Sequence, residues 1–195
     1  VEGFVYWHYW FGNGKRLLER PFNEVLASGK PDFPFALAWA NQTWSGTLHG
    51  LIEGRTLIEQ TYPGIEDYIS HFNAILPAFK DKRYIKCDGK PIFIIYNPSE
   101  ISNMAEFIQL WQKLAKENGL NGIYFIALCQ NFYKECEKVN FYNDMMALGF
   151  DAMNVINLRI DRCEMPFLHR LFYKIIRKLL NTPLLFDYDE RAFFS

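Results

Sequence analysis

The sequence predicts an α/β fold in which parallel β-strands alternate with helices. Short apolar runs bounded by turn residues recur along the 195-residue chain, and stretches with helical i, i+3, i+4 spacing separate them. The apolar runs are continuous rather than alternating, which is typical of parallel strands that helices cover on both faces. Five such units fit either a doubly wound sheet or part of a (β/α)8 barrel.

The first two predicted strands flank a short helix. Gly3–Phe11 is rich in aromatic residues, which favours a strand. Pro21–Ser28 fits a helix, because proline is common at the first helical position and Gly29 stands where glycine often ends a helix. Phe33–Asn41 is the second strand. The long connection after it, Gln42–Gly64, is aromatic and apolar, so we interpret it as an ordered functional loop.

The middle of the chain gives the clearest helical patterns. Glu66–Phe79 is amphipathic and begins with acidic residues, which suit the positive end of a helix. Pro91–Tyr96 is the third buried strand. Asn103 and Glu106 then resemble a capping box at the start of a helix that Gly119 ends.

The last third of the chain is predicted to add two strands and two helices. Gly122–Cys129 is the fourth strand, and a weaker helical pattern covers about Tyr142–Leu148. Phe150–Asn157 is the fifth and least apolar strand. Pro166 opens a helix with one basic face, which we interpret as a solvated outer face in preference to a membrane-surface helix.

Composition argues against several classes of partner. The net charge of −1 disfavours a surface built for nucleic acid or for anionic membranes. No apolar span reaches the roughly 18 residues of a membrane helix, so we expect no integral membrane segment. The chain enters a strand at once without an initiator Met, which we interpret as the interior of a longer protein. Cysteines without a C-x-x-C pattern predict reduced thiols and a cytoplasmic location.

Aromatic and polar residues cluster where four predicted strands end. These strand ends are His8–Trp10, Trp39–Gln42, Tyr96–Asn97 and Gln130–Asn131. In a barrel the carboxyl ends of the strands share the face on which functional sites form. Indole rings stack on the C–H bonds of sugars and carboxamides bind hydroxyl groups, so we predict a glycan site there.

We predict substrate-binding roles for His8, Tyr9, Trp10, Trp39, Asn41, Gln42, Trp44, Tyr62, Tyr96 and Gln130. A competing interpretation is that the strand ends carry only surface amides and interface tryptophans. His8 likewise has three interpretations: a substrate contact, a base, or a hydrogen-bonded core residue.

The sequence assigns no catalytic residue, metal or cofactor. No G-x-G-x-x-G, phosphate loop or G-x-S-x-G elbow occurs, which disfavours nucleotide binding and serine hydrolysis. His49 and His71 lack companions at metal-ligand spacing, so we expect no metal. Glycosidic chemistry ordinarily uses two carboxyl groups, and the catalytic pair stays unknown. We interpret Glu59 as a brace of the long loop and Asp151 as a residue at the non-functional strand end, while Asp187 is unplaced.

Several ordered blocks resemble a known family. They are H-Y-W-F at 8–11, R-L-L-E-R-P-F-N-E-V-L at 16–26, W-A-N at 39–41, L-I-E-Q-T-Y at 57–62, L-P-A-F-K at 76–80 and R-Y-I-K-C-D-G-K-P-I-F at 83–93. These blocks resemble the WbsX-like, glycoside hydrolase family 99-like proteins of bacterial surface-polysaccharide gene clusters. The resemblance implies a (β/α)8 TIM-type barrel and a glycan partner.

The sequence departs from this family at two places. Such proteins commonly have W-A-N-E-x-W, whereas Gln42 occupies the glutamate position here, and no late N-E-W-x-E-G segment occurs. We therefore expect residues 1–195 to form a single partial barrel domain, a fragment of a longer family domain that lacks the first strand and the last units.

The expected function is that of a carbohydrate-active domain that acts on or assembles a bacterial surface polysaccharide such as lipopolysaccharide. Both glycoside hydrolysis and glycosyl transfer fit the resemblance, although the fragment alone is expected to be inactive. The alternative is a non-catalytic glycan-binding module or a truncated remnant without the catalytic glutamates.

Overall fold

The computed structural model describes residues 2–46, 55–129 and 141–155. These residues all belong to one compact unit, Val1–Val155. Within these ranges, no helix combines the length and the hydropathy that crossing a membrane requires.

The helices are α1 (Arg20–Ser28), α2 (Ile65–Phe79), α3 (Met104–Glu117) and α4 (Phe141–Leu148). The longer strands are β1 (Phe4–Trp10), β3 (Phe35–Trp39), β7 (Lys90–Ile95), β8 (Tyr124–Cys129) and β9 (Ala152–Val155). The short strands are β2 (Arg16–Leu17), β4 (Trp44–Ser45), β5 (Thr56–Ile58) and β6 (Lys86–Cys87).

The central sheet is mainly parallel and has the order β2-β1-β3-β7-β8-β9. Its long strands β1, β3, β7, β8 and β9 pair in parallel and follow one another in chain order. A doubly wound sheet reverses its strand order at one point, whereas this order has no reversal among the described strands. The α/β prediction is confirmed. The order of the described strands is consistent with part of a barrel, and the barrel itself stays a prediction.

Helices α1, α2 and α3 all pack on the same face of this sheet. Their aromatic contacts with it are Phe22 with Phe35, His71 with Trp39 and Trp111 with Phe93, at centroid distances of 5.4, 4.7 and 4.9 Å. Continuous apolar runs had predicted helices on both faces, and for these three helices that expectation is wrong. Connections of one hand between sequential strands place the helices on one side, which explains the difference.

The core lies between these helices and the sheet. Trp111 of α3 is fully buried and contacts Phe107 at a centroid distance of 4.5 Å. Its indole Nε1 donates a hydrogen bond of 3.0 Å to the carbonyl of Tyr68 on α2, which fixes the two helices to each other. A buried indole N–H requires such a partner, and the backbone of the neighbouring helix supplies it.

The predicted long elements are confirmed, and the details of their ends differ. Helix α1 begins at Arg20, one residue before the predicted Pro21, and is capped by Gly29, whose φ of 70° lies in the left-handed region. The capping-box bonding predicted for α3 is wrong. Asn103 is the N-cap residue, but its Oδ1 accepts a 2.6 Å bond from the Tyr68 hydroxyl, and its Nδ2 donates to Glu106.

The connection 42–64 is not a plain loop, because β4 and β5 pair within it as an antiparallel hairpin. Strands of two or three residues are too short to produce a periodic pattern, so the sequence did not reveal them. The helix predicted after Pro166 and the strand end at Gln130 lie outside the described residues.

Candidate functional site

Strand β1 divides its aromatic residues between two faces of the sheet. His8 and Trp10 face the helices and are 5% and 4% exposed. Trp7, which directly precedes His8 in the strand, faces the opposite side and is 46% exposed. Alternate side chains of a strand point to opposite faces, so Tyr9 shares the side of Trp7. We call this second side the open face of the sheet.

A buried histidine pair lies on the helix-facing side at the carboxyl end of β1. The Nε2 atoms of His8 and His71 are 2.8 Å apart, so one ring donates and the other accepts. The His71 ring stacks on Trp10 at 4.8 Å with an interplanar angle of 4° and meets the edge of Trp39. Burial, and then the nearby charge of Arg16, lower the pKa of His8 to about 3. Burial, followed by the charges of His8 and Arg16, holds the pKa of His71 well below its usual range. Both rings are therefore neutral at pH 7.

The two tryptophans around this pair are held in place by hydrogen bonds. The Nε1 of Trp39 donates to the carbonyl of Trp10 at 3.0 Å, and the Nε1 of Trp10 donates to Asp67 at 2.9 Å. Trp39 is only 1% exposed and packs against Phe107. These indoles have no face open to a ligand, so in this structure they support the strand ends from the helix side.

Asn41 joins three segments at the same end of the sheet. Its Oδ1 accepts a 2.7 Å bond from the Asn97 amide, and its Nδ2 donates to the Asn97 carbonyl at 2.8 Å and to the Tyr62 hydroxyl at 3.0 Å. Burial raises the pKa of Tyr62 above its ordinary value, so this hydroxyl stays protonated. Asn41 is fully buried, and it ties the end of β3 to the residues after β7 and after β5.

On the open face, aromatic rings meet above a strand of alanines. In register, Ala38 of β3 lies between Trp7 of β1 and Ile94 of β7, and Ala36 occupies the preceding position on this face. The rings of Trp7 and Tyr96 meet edge to face at 5.4 Å with an interplanar angle of 87°. The large side chains of Trp7 on β1 and of Tyr96 after β7 can meet because β3, which lies between these strands, contributes only methyl groups on this face.

The β4–β5 hairpin extends this aromatic surface beyond the end of β1. Trp44 meets Tyr9 edge to face at 5.3 Å and Phe11 at 5.5 Å. Thr61, which follows the hairpin, donates from its amide and its hydroxyl to the Phe11 carbonyl at 3.1 and 2.9 Å. We define Trp7, Tyr9, Trp44 and Tyr96 as the aromatic platform.

The structure places the predicted site residues in three settings. His8, Trp10 and Trp39 face the helices. Asn41 and Tyr62 belong to the junction, our name for the hydrogen bonds that tie the end of β3 to the residues after β5 and β7. Tyr9, Trp44 and Tyr96 lie on the platform. Gln42 is half-buried beside the junction, and Gln130 lies outside the described residues. Trp7 was missing from the prediction, although the strand alternation that pairs it with Tyr9 could have indicated it.

Comparison with known protein families shows what this chain is related to. The family described as glycosyltransferase WbsX matches residues 1–190. The chain belongs to this WbsX family. Proteins described as uncharacterized protein WxcX, from two strains of Xanthomonas campestris pv. campestris (B100 and ATCC 33913), are each 27% identical over 154 residues. The match covers 78% of this chain and 20% of each relative, so the chain spans about a fifth of the length of these curated relatives. No solved structure matches the chain significantly.

Of the carboxylates weighed from the sequence of this WbsX-family chain, Asp187 lies outside the described residues, and the structure places Asp151 and Glu59. Asp151 accepts from the Phe125 amide at 2.9 Å, at the amino end of β9, where the sequence had placed it. Glu59 is exposed, and its role as a brace of the long connection stays a prediction. The backbone amide of its neighbour Gln60 donates to the Thr43 hydroxyl at 3.0 Å. Across the ranges that the structure describes, no group of three or more His, Cys, Asp or Glu could hold a metal ion.

Proposed function

We propose that this chain contributes a glycan-binding face to a carbohydrate-active domain that acts in the assembly of a bacterial surface polysaccharide. The observation that carries the proposal is the aromatic platform. Trp7 presents about half of its surface to solvent, with Tyr96 against its edge, on the side of the sheet away from the helices. Exposed indole and phenol rings in such a position suit the apolar faces of sugar rings.

Two further features support a site at this end of the sheet. In parallel α/β folds, ligands bind outside the carboxyl ends of the strands, which is where Tyr9, Tyr96 and Trp44 lie. The unreversed strand order is that of a (β/α)8 barrel, and in such a barrel the open face would line the interior. Membership of the WbsX family favours glycosyl transfer over hydrolysis for the complete domain.

A non-catalytic glycan-binding module is the second candidate. Gln42 favours it, because the neutral carboxamide that follows Asn41 cannot transfer a catalytic proton. Turnover separates the two candidates. Release or transfer of a labelled sugar by the full-length natural protein supports the enzyme, whereas binding without turnover by that protein supports the module.

The binding proposal is tested with the full chain on an array of bacterial surface glycans, followed by calorimetry on the best ligand. Trp7→Ala should weaken binding at least tenfold, which is about 1.4 kcal/mol. The matched control is Tyr142→Ala, since Tyr142 is a 54% exposed aromatic residue on α4. The control should bind like the wild type. Absence of glycan binding by the wild type, or equal binding by Trp7→Ala, would overturn the proposal.

A further inference from the structure

Three buried polar atoms in the described part of the chain have no hydrogen-bond partner. They are Arg16 Nε, Gln60 Oε1 and His71 Nδ1. Most buried polar groups in native proteins are hydrogen-bonded, so each unpaired one requires an explanation. All three belong to side chains around the carboxyl end of one strand, which makes a common cause the simplest explanation.

Each of these residues is connected to β1 by a different contact. Arg16 is the register partner of Trp10 in the β1–β2 ladder. His71 is bonded to His8 at 2.8 Å. The Gln60 Nε2 donates to the carbonyl of Thr61, the residue whose amide and hydroxyl bind the end of β1.

Arg16 is the charged member of this group. Its side chain is half-buried, and it forms no ion pair with any described residue. Asp67, which lies near the same strand end, is already engaged by the Trp10 indole at 2.9 Å and by the Gly14 amide at 3.4 Å. The positive charge lowers the pKa of His8 and of His71, so it acts on a pair of neutral rings rather than on a carboxylate.

We propose that Arg16 binds an anionic group, a carboxylate or a phosphate, carried by the glycan substrate. This inference rests on the proposed function and adds the substrate class, an acidic or phosphorylated glycan. The planar guanidinium presents paired N–H donors that match the oxygens of either anion, and a partly desolvated site strengthens the attraction. The two terminal nitrogens of Arg16 are not among the buried unpaired atoms, so they are the donors that an anion would reach.

The position of β2 defines how such a glycan would lie. Arg16 pairs with Trp10 in the β1–β2 ladder, so its side chain lies on the helix-facing side of the sheet. Leu17 pairs with Tyr9 and lies on the open face, with the aromatic platform. The anion site therefore borders the platform across the edge strand. The acidic group belongs to a sugar unit next to the stacked one, which makes Arg16 a residue that selects the glycan.

The test compares an acidic glycan with its carboxyl-reduced or dephosphorylated counterpart, using the full chain. Wild type should bind the acidic form at least tenfold more tightly, and added salt should shrink the difference. Arg16→Gln should abolish the preference for the acidic glycan. Arg16→Lys keeps the positive charge but not the paired N–H donors, so it should retain part of that preference. The control is Arg20→Gln, because the Arg20 side chain is 88% exposed and pairs with Glu24.

Small probes identify the source of the charge. Inorganic phosphate and glucuronate are each titrated while the imidazole NMR signals of His8 and His71 are followed, since an anion beside Arg16 offsets its effect on both rings. A response to phosphate alone indicates a phosphorylated glycan, and a response to glucuronate alone indicates a uronic acid. A response to both assigns a general anion site.

Equal binding of acidic and neutral glycans by the wild type, or a preserved preference in Arg16→Gln, would overturn the inference. Neutral glycans that still bind through Trp7 would leave the proposed function intact, so the two failures are distinguishable. Arg16→Gln removes an unpaired charge and should fold at least as stably as the wild type, which urea denaturation verifies.

Discussion

The two sides of β1 carry similar residues in very different surroundings. On the helix-facing side, His8 and Trp10 are almost completely buried, and each has a hydrogen-bond partner. On the open face, Trp7 keeps 46% of its surface exposed and touches Tyr96 only edge to face. The difference teaches that aromatic content alone does not identify a ligand site, because the same strand supplies both the core and the platform.

The cause of the difference lies in what faces each side. The helices present large rings such as Trp111 to one face, whereas β3 presents Ala36 and Ala38 to the other. Ring-on-ring packing buries Trp10 and Trp39 on the helix side. On the open face the alanines leave the flanking rings standing above the sheet.

The largest expected effect is on stability. Trp39→Ala should lower the free energy of unfolding by about 3–5 kcal/mol, because it empties a fully packed position and removes the bond to the Trp10 carbonyl. Trp7→Ala should cost no more than about 1.5 kcal/mol, since nearly half of that side chain is already exposed. Urea denaturation of both variants measures the contrast, and equal losses would contradict the division of β1 into two faces.

The second effect is acid sensitivity of the histidine pair. The folded pKa of His8, about 3, lies below its ordinary value of 6.5, and that of His71 is lowered as well. Below about pH 6.5 the unfolded chain therefore binds protons that the folded chain does not. The free energy of unfolding has its full value above about pH 6.5 and falls as the pH decreases below it. Each histidine should contribute a slope approaching 1.4 kcal/mol per pH unit. Denaturation midpoints between pH 7.5 and 5 measure this.

The matched variant for the pH experiment is His71→Gln. It keeps a polar group that can bond to His8 but removes one of the two buried titrating rings. The slope below pH 6.5 should decrease by about half, although stability at pH 7.5 also falls because the ring stacked on Trp10 is lost. A flat profile for the wild type between pH 7 and 5 would show that the pair accepts protons without cost.

A smaller effect on stability is expected for Asn41, which ties the end of β3 to the residues after β7 and after β5. Asn41→Ala should cost about 1–3 kcal/mol, since it leaves the Asn97 amide without its acceptor in a buried place. Gln42→Ala, one residue later and half-buried, should change stability by less than about 0.5 kcal/mol. Thermal unfolding of the two variants compares them, and a similar shift for both would argue against the role of Asn41 as the tie.

Elements longer than about five residues could be predicted from the sequence, because their signals are local. Continuous apolar runs gave β3, β7 and β8, and the spacing of apolar residues gave α2 and α3. Helix ends followed from single residues such as Gly29. These features depend on the conformational preferences of neighbouring residues and need no knowledge of the tertiary fold.

The candidate site was less predictable, because it depends on contacts between distant residues. His71 joins His8 across 63 positions of sequence, and nothing local to either residue indicates the pair. The burial of the Trp39 side chain could not be predicted locally. It depends on the helices packing on one face of the sheet, which follows from the order of the strands. The role of Trp7 was the exception, since alternation within β1 places it with Tyr9.

The methyl groups of β3 also bear on how this protein can diversify. Ala38 contributes to neither the indole cluster nor the histidine pair, and a larger residue there would rise between Trp7 and Ile94 as a steric plug. Exchange of a single small residue would thus reshape the open face while the scaffold beneath it stays constant. Under the proposed function, one codon at this position would change which sugars the aromatic platform accepts.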